Sequence, residues 1–269
     1  MTDLEIFNGV MAIHAFIDEK TRLKRKLRKF ICPSALDELK KSLKFKMGAD
    51  IETIFLLKED IYVELGSPRY ESVAFIVLTQ DPEEVQNGVI TLIGPDIHES
   101  KGKELNFGQV ILIGGTEIED IKYREMERAL FHLKNLEGFM IRAVPNKLWC
   151  RVSKQVGFRG FSFEDLGKAL MIMYKEQFPD IETIEILFIT TESPQDFLEL
   201  KVIGTEIRKK YIQQYSEHLK SKLVQITEKQ RDDCEFPWTC DECDYNEVCD
   251  EIRDIVEKMK AYREKMKKN

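Results

Sequence analysis

The first pattern along the chain is a helical one. Apolar residues recur at three- and four-residue spacing through residues 3–30, which predicts an amphipathic helix; they include Leu4, Phe7, Met11 and Ile17. Pro33 interrupts this spacing, and Ser34 can cap a second helix, predicted to run to about residue 46. We therefore expect a helical N-terminal arm over residues 1–50.

The end of the first predicted helix is strongly basic. Seven cationic residues fall within ten positions: Lys20, Arg22, Lys24, Arg25, Lys26, Arg28 and Lys29. Such a cluster can bind an anion or a partner protein. Cations are also favourable at a helix C-terminus, where they form a solvated face, and the pattern favours this second interpretation.

From residue 51 the pattern changes to short apolar or alternating runs, which predict strands. The predicted strands cover residues 53–57, 61–65, 72–79, 89–93, 107–113, 139–144, 147–152 and 183–190. Helices are predicted over residues 121–136, 162–177, 193–229 and 250–268. The predicted fold class is α/β: the helical arm, a mixed-sheet α/β body over residues 51–192, and a cysteine loop between two helices over residues 193–269.

Composition excludes several classes of function. The net charge of −7 does not suit wholesale nucleic-acid binding. No apolar run approaches the roughly 20 residues of a membrane span, and residues 1–5 lack the features of a signal peptide. We expect a cytoplasmic protein that binds neither nucleic acid nor membrane.

Four of the six cysteines fall within sixteen residues and form the clearest chemical motif. They are spaced C-x5-C-x2-C-x5-C, at Cys234, Cys240, Cys243 and Cys249. Thiolates ligate soft metals, and a short loop brings four of them together at a low closure cost. The single close pair favours a 4Fe–4S cluster over zinc, because structural zinc sites usually have two close pairs.

Zinc remains the alternative metal for this motif, and disulfides are not expected in a cytoplasmic chain. The other two cysteines, Cys32 and Cys150, are interpreted as lone buried thiols. The histidines are scattered and are interpreted as structural or solvated residues: His14, His98, His132 and His218.

Several segments, taken in order, resemble the β subunit of CO dehydrogenase/acetyl-CoA synthase. Residues 60–68, DIYVELGSP, resemble the family segment MYVELGGPK, and residues 92–96, LIGPD, resemble LIGPDL. Residues 148–154, LWCRVSK, are similar to the family pattern W-x-R-[IV]-S-K. The resemblance covers about residues 55–250 and implies a mixed α/β middle domain that leads into a cluster-bearing segment.

The resemblance also implies a metal centre, from which this chain departs. Cys240 and Cys243 match the first two ligands of the family's 4Fe–4S cluster, whose cysteines are spaced C-x2-C-x8-C-x9-C. Cys249 follows after five residues instead of eight, and only Cys234 can replace the missing fourth ligand. No Cys-Gly-Cys motif for a second nickel follows Cys249 in the sequence, so we do not expect a complete dinickel site.

The family places coenzyme A near its W-x-R-x-S-K stretch. Carried over to this chain, that implies a cofactor-binding role for Trp149, with Arg151 and Lys154 as phosphate partners. An indole can stack on adenine, and a guanidinium can hold phosphate through two parallel hydrogen bonds. In the alternative, Trp149 is a core residue and the two cations are solvated.

Three functions are consistent with these patterns. The first is a 4Fe–4S protein of anaerobic one-carbon or acyl-CoA metabolism, with coenzyme A as a candidate ligand and an acyltransferase activity if it is catalytic. The second is a non-catalytic electron-transfer or assembly subunit of a larger redox or one-carbon complex. The third is an interaction protein stapled by zinc. No Ser–His–Asp set is visible, so no general base is predicted.

Overall fold

The computed structural model describes residues 8–47, 61–66, 72–100, 104–118, 122–132, 139–144 and 147–229. The elements in these residues follow one another in a mixed α/β order. They are α1 (Gly9–Arg22), β1 (Leu27–Ile31), α2 (Leu36–Ser42), β2 (Ile61–Leu65), β3 (Ser72–Thr79), β4 (Val89–Ile93), β5 (Phe107–Gly114), α3 (Tyr123–His132), β6 (Phe139–Val144), β7 (Lys147–Ser153), α4 (Lys154–Phe158), α5 (Phe163–Gln177), β8 (Thr183–Thr190) and α6 (Pro194–Lys229). Short 3-10 turns cover Pro82–Glu84 and Ile97–Ser100.

Five strands form the central sheet in the order β1-β4-β8-β5-β3. β4 runs parallel to β8, and β3 runs parallel to β5. β5 and β8 are antiparallel, and β1 joins β4 as an antiparallel edge strand. β5 is buried at every position and β8 at every position but its first, as expected of apolar strands covered on both faces.

Helices α1 and α6 cover one face of this sheet at close range. A Cβ atom built on Gly9 of α1 would lie 2.9 Å from Val77, and one built on Gly204 of α6 would lie 2.7 Å from Phe75. Val77 and Phe75 are two residues apart in β3, so they point to the same face. The glycines let both helices approach the strand closely.

Helix α5 covers the opposite face. Its Gly167 would place a Cβ 2.5 Å from Ile90 of β4, and the ring of its Phe163 lies 5.1 Å from the ring of Phe188 of β8. The Ser162 side chain accepts a hydrogen bond from the backbone N–H of Asp165 and so caps α5. The predicted cap and the predicted end of this helix at Gln177 are both confirmed.

A second, three-stranded antiparallel sheet has the order β2-β7-β6. It connects to the central sheet through residues that precede β5: Leu105 donates its N–H to the Glu64 carbonyl, and Gly66 donates its N–H to the Leu105 carbonyl. The sequence pattern predicts each of these strands but not their division between two sheets.

The mixed α/β fold class is confirmed, but the N-terminal helix prediction is wrong beyond Arg22. The chain turns after α1, and residues Leu27–Ile31 form a strand of the central sheet instead of a helix. Ser34 does not cap α2, which begins at Leu36 with Ala35 at the N-cap and no side-chain hydrogen bond there. The predicted strand over 53–57 and the predicted helix over 250–268 lie outside the described residues.

Contacts divide the chain into two compact units, Met1–Tyr211 and Ile212–Asn269, with the boundary inside α6. The first unit contains both sheets. In the second unit the described residues are helical, from Ile212 to Lys229. The division into residues 1–50, 51–192 and 193–269 stays a prediction. None of the helices in the described ranges has the length and apolar character of a membrane span.

Candidate functional site

Strand β7 carries two of the three residues predicted to bind a cofactor. Cys150 and Val152 are fully buried, whereas Arg151 between them is only partly buried. Because successive side chains of a strand point to opposite faces, Arg151 points away from the face that Cys150 and Val152 bury. The backbone of Trp149 lies opposite Arg142 of β6 in the ladder.

The third predicted residue, Lys154, begins the short helix α4. The buried Ser153 side chain accepts a hydrogen bond of 3.2 Å from the Val156 N–H, which caps α4. A serine at this position satisfies a backbone donor that would otherwise be left without an intrahelical partner. Lys154 is exposed one residue after the cap, so Arg151 and Lys154 flank the junction between a strand and a helix.

The residues 60–68 segment and the W-x-R-x-S-K segment are neighbours in the structure. β2 pairs with β7 so that Glu64 lies opposite Arg151 and Leu65 opposite Cys150. Leu65 and Cys150 are both fully buried. Two stretches that are more than eighty residues apart in sequence therefore form one local surface, with a carboxylate and a guanidinium on adjacent strands.

The L-I-G-P-D segment forms the turn after β4 and fixes the start of α5. The nearly buried Asp96 accepts hydrogen bonds from the backbone N–H groups of Ile97 at 2.6 Å and Phe163 at 3.2 Å. A carboxylate held by N–H groups at a helix start is electrostatically favourable. Asp96 thus ties this turn to the helix that follows α4.

An aromatic surface links the same turn to β2 and α4. The Tyr62 ring lies 6.0 Å from the His98 ring and 5.8 Å from the Phe158 ring. Phe158 is 80% exposed, and His98 is also exposed. Residues that closely follow the 92–96 and 148–154 segments therefore contact Tyr62 of the 60–68 segment.

The predicted metal ligands Cys234, Cys240, Cys243 and Cys249 lie outside the described residues. The two cysteines that the structure does describe, Cys32 and Cys150, are both free and buried, as predicted. Burial raises the pKa of the Cys32 thiol to about 11 and that of the Cys150 thiol well above its usual range. Neither is a ready source of the thiolate that a metal requires. The described part of the chain contains no cluster of three His, Cys, Asp or Glu residues able to hold a metal.

The sequence model of the CO dehydrogenase/acetyl-CoA synthase complex beta subunit matches residues 43–194, more than half of the chain. The chain belongs to this family. The match includes all three quoted segments and ends before the four clustered cysteines. It begins after α1 and β1, so these elements lie outside the matched part of the family fold.

Curated relatives support the same assignment. Acetyl-CoA decarbonylase/synthase complex subunit beta of Methanothermobacter thermautotrophicus is 36% identical over 143 residues, which are 52% of this chain and 30% of the relative. The subunit of Methanopyrus kandleri is 37% identical over 145 residues, 52% of this chain and 31% of the relative. Subunit beta 2 of Methanosarcina thermophila is 30% identical over 151 residues, 55% of this chain and 32% of the relative. The matched part of this family member thus spans about a third of each relative's length.

The structure also contains a buried ionic cluster that the sequence analysis missed. Lys20 is 3% exposed and donates to Asp196 at 2.9 Å and Glu199 at 2.8 Å at the start of α6. Arg25 lies 3.6 Å from Glu192 and 3.5 Å from Asp196, and burial raises the pKa of Glu192. The signal was present in the sequence, because Lys20 continues the buried helical stripe of Ile13, Phe16 and Ile17. For Lys20, the interpretation as a solvated face is wrong.

A second, partly buried pair joins α1 to the central sheet. His14 Nε2 lies 3.0 Å from Oε2 of Glu185, which is 1% exposed, and the Gln86 N–H donates to the same oxygen. A hydrogen bond to Glu185 raises the pKa of His14. Glu185 is a charged residue within the apolar run T-I-E-I-L-F-I-T, and such a residue indicates in the sequence that a polar partner contacts it in the interior. His14 is structural, as interpreted from sequence.

Proposed function

We propose that this family member acts within a protein complex of the acetyl-CoA decarbonylase/synthase type, in anaerobic one-carbon and acyl-CoA metabolism. The observation that carries the proposal is the family match over residues 43–194, followed along the chain by four closely spaced cysteines. The matched part covers about a third of each relative, and the proposal is a contribution to such a complex.

The first part of the proposal is a 4Fe–4S cluster held by Cys234, Cys240, Cys243 and Cys249. The donor set fits, since four thiolates within sixteen residues suffice for one cluster. The buried thiols Cys32 and Cys150 do not compete, because burial opposes their ionisation. When bound, such a cluster supplies one-electron redox chemistry or a sulfur bridge to another metal. The acidic residues Asp241, Glu242 and Asp244 would disfavour addition of an electron.

Metal and sulfide analysis of anaerobically purified protein tests this part. We expect about four iron and four sulfide per chain, with a broad visible absorbance. Substitution of both Cys240 and Cys243 by serine should abolish the bound iron and sulfide and the visible absorbance. The matched control, Cys32→Ser, should keep the iron content because Cys32 is not a proposed ligand. One zinc per chain without sulfide would indicate a structural zinc site in place of the cluster. Nickel together with iron would favour a catalytic metal centre.

The second part of the proposal is a coenzyme A site at the junction of β7 and α4, formed by Trp149, Arg151 and Lys154. Two cations three residues apart suit a ligand with several phosphates, and the guanidinium can bind phosphate bidentately. The convergence of β2, the turn after β4 and α4 on this region supports the assignment.

Calorimetric titration tests the coenzyme A site. We expect Lys154→Gln and Arg151→Gln each to weaken coenzyme A binding by about tenfold, the worth of one charge-assisted hydrogen bond. Lys209→Gln, at an exposed lysine of α6, is the matched control and should bind as the wild type does. Pantetheine, which lacks the nucleotide, should bind all four proteins equally. Equal coenzyme A affinity in the three variants and the wild type would remove this site from the proposal.

An electron-transfer or assembly role is the second candidate, and it is supported by the relatives' description as subunits of a complex. Assay of the iron-loaded protein for acetyl transfer to coenzyme A or for carbonyl exchange distinguishes this role from an acyltransferase role. Activity that depends on the loop cysteines supports an acyltransferase role. A redox-active cluster without either activity supports the electron-transfer role.

A further inference from the structure

Among the residues that the structure describes, strand β1 is an edge of the central sheet. It pairs there with β4 alone, in a register where Leu27 faces Ile93 and Ile31 faces Val89. The ends of this ladder fix which backbone groups point inward: Gly94 donates its N–H to the Lys26 carbonyl, and Cys32 donates its N–H to the Gly88 carbonyl. In an antiparallel ladder the hydrogen-bonded positions alternate.

The alternation leaves three residues whose backbone groups point outward. Residues 26, 28, 30 and 32 direct their backbone groups towards β4, so Leu27, Lys29 and Ile31 direct theirs away from the sheet. Within the part of the chain that the structure describes, no backbone hydrogen bond reaches these outward groups. Three N–H groups and three carbonyls are thus arranged to pair with another extended chain.

The side chains of β1 do not prevent another strand from pairing with this edge. Ile31 is 86% exposed at the end of the strand, the highest exposure among the large apolar residues described. Charged residues on an edge strand normally prevent pairing with other chains, and Lys29 fits that protective role. An exposed isoleucine beside it does not, because it adds an apolar contact for an incoming strand.

The surroundings of β1 are strongly basic. Arg22, Lys24 and Lys29 are exposed and form no ion pair with any residue in the described ranges. Within the described residues, the one hydrogen bond of the Lys29 side chain is a long one of 3.4 Å to the neutral Gln86 side chain. Lys26 and Arg28 share a single carboxylate, Glu99. The excess of positive charge favours an acidic occupant.

We infer that β1 is a docking site for an extended acidic segment of a partner protein, which adds a sixth strand to the central sheet. Backbone hydrogen bonds to Leu27, Lys29 and Ile31 supply affinity, and acidic side chains opposite Lys29 supply selectivity. A second copy of this chain fits poorly, because symmetric pairing of two β1 strands would bring Lys29 and Arg28 of one copy beside those of the other. β1 lies outside the family match, so the site does not depend on the proposed cluster or on coenzyme A.

The probe is an eight-residue synthetic peptide of glutamate and valine that sets a glutamate opposite Lys29 and valines opposite Leu27 and Ile31. Amide hydrogen exchange of the full chain should show fast exchange at Leu27, Lys29 and Ile31 and slower exchange at Arg28 and Phe30. Addition of the peptide should slow the first three amides. A peptide with lysine in place of glutamate should leave them unchanged, since it would meet like charge.

A proline substitution isolates the backbone contribution. Lys29→Pro removes one outward N–H but no hydrogen bond to β4, a position where an edge strand tolerates proline. Lys29→Thr is the matched control: it loses the same charge, keeps the N–H and retains good strand propensity. We expect the proline variant to bind the peptide about tenfold more weakly than the threonine variant, the effect of one lost hydrogen bond. Thermal unfolding checks that both variants remain folded.

Several outcomes would overturn the proposal. Equal binding by the proline and threonine variants would show that β1 does not pair through its backbone, and equal binding of the lysine peptide would remove the acidic selectivity. Protection of Leu27, Lys29 and Ile31 that grows with protein concentration alone would make this edge an interface between copies. If Lys29→Pro does not fold, the same test can be made with wild-type protein and a peptide N-methylated at alternate residues, which lacks the backbone donors for strand pairing. Undiminished binding of that peptide would equally contradict strand addition.

Discussion

Gly94, in the turn after β4, occupies a position where any side chain would be strained and would clash with its surroundings. Its φ is +105°, and a Cβ there would lie 2.1 Å from the Thr190 carbonyl oxygen. Gly160 has a similar φ of +89°, but nothing lies within 4 Å of its Cβ position. We expect Gly94→Ala to lower the free energy of unfolding by about 3 kcal/mol or more, from backbone strain plus overpacking.

Gly160→Ala is the matched control, because it adds the strain without the clash. It should cost about 1–2 kcal/mol. Urea denaturation of both variants measures the difference. Equal losses in the two proteins would mean that the turn after β4 can move away from Thr190.

The pair of His14 and Glu185 predicts a pH-dependent stability. A hydrogen bond to Glu185 raises the folded-state pKa of His14, against the opposing effects of burial and of Lys29; Asp18 adds to the increase. A histidine whose folded pKa exceeds its unfolded value of about 6.5 stabilises the fold fully below that pH. This contribution is lost as pH rises through the folded pKa.

The His14→Gln variant isolates the effect, since glutamine can hydrogen-bond Glu185 without titrating near neutral pH. The difference in unfolding free energy between wild type and variant should shrink as pH rises from about 6 through the raised pKa. Chemical denaturation at several pH values measures this difference and cancels the contributions of other groups. A difference that does not change with pH would show that folding leaves the pKa of His14 unshifted.

At the scale of elements, the end of α1 explains why the sequence pattern predicts too long a helix. Leu23, Leu27 and Phe30 continue the helical spacing, so the apolar pattern shows no end. The chain ends the helix by placing Lys24 at φ +54°, while Lys24 donates its N–H to the Thr21 carbonyl and Arg25 donates to the Lys20 carbonyl. This is a Schellman motif, which glycine usually marks. A lysine there gives no sequence signal.

Lys24→Gly should therefore stabilise the protein. Glycine adopts a positive φ without the penalty of roughly 1–2 kcal/mol that a Cβ brings, and the gain should be about 1 kcal/mol because glycine also has more freedom in the unfolded chain. Thermal and urea unfolding measure it. Arg22→Gly, in the last helical position of α1, should instead destabilise by up to about 1 kcal/mol. A loss of stability in Lys24→Gly would contradict the strain at this position.

The positions of the strands in the sequence are easier to predict than the order of the strands in the sheet. β3, β5 and β8 are apolar runs whose residues are buried at nearly every position, so a local pattern suffices to find them. Their order depends on contacts between distant residues, such as Ile111 opposite Ile186, and local patterns do not specify such pairs. β1 was missed for the related reason that its sequence fits both a helix end and an edge strand.

At the scale of the molecule, the family resemblance, and no residue pattern, points to a coenzyme A site. It named Trp149, Arg151 and Lys154, but only the fold brings Glu64 opposite Arg151 and Phe158 beside Tyr62. The acidic partners of Lys20 and His14 lie more than 170 positions away in sequence. Sequence patterns could mark these residues as unusual, but they could not supply the partners.

The division into two units predicts how the protein responds to loss of a bound metal. Within the described residues, the buried hydrophobic core runs from Val10 to Tyr211, inside the first unit. The four proposed ligands lie in the second unit, and the cysteines of the first are buried thiols. We expect substitution of both Cys240 and Cys243 by serine to remove the metal while the amides of β5 and β8 keep their slow hydrogen exchange. Chelation of the metal from the wild type should have the same effect. Rapid exchange throughout β5 and β8 after either treatment would instead show that the metal stabilises the whole molecule, because those strands are among the most deeply buried and open only with the core.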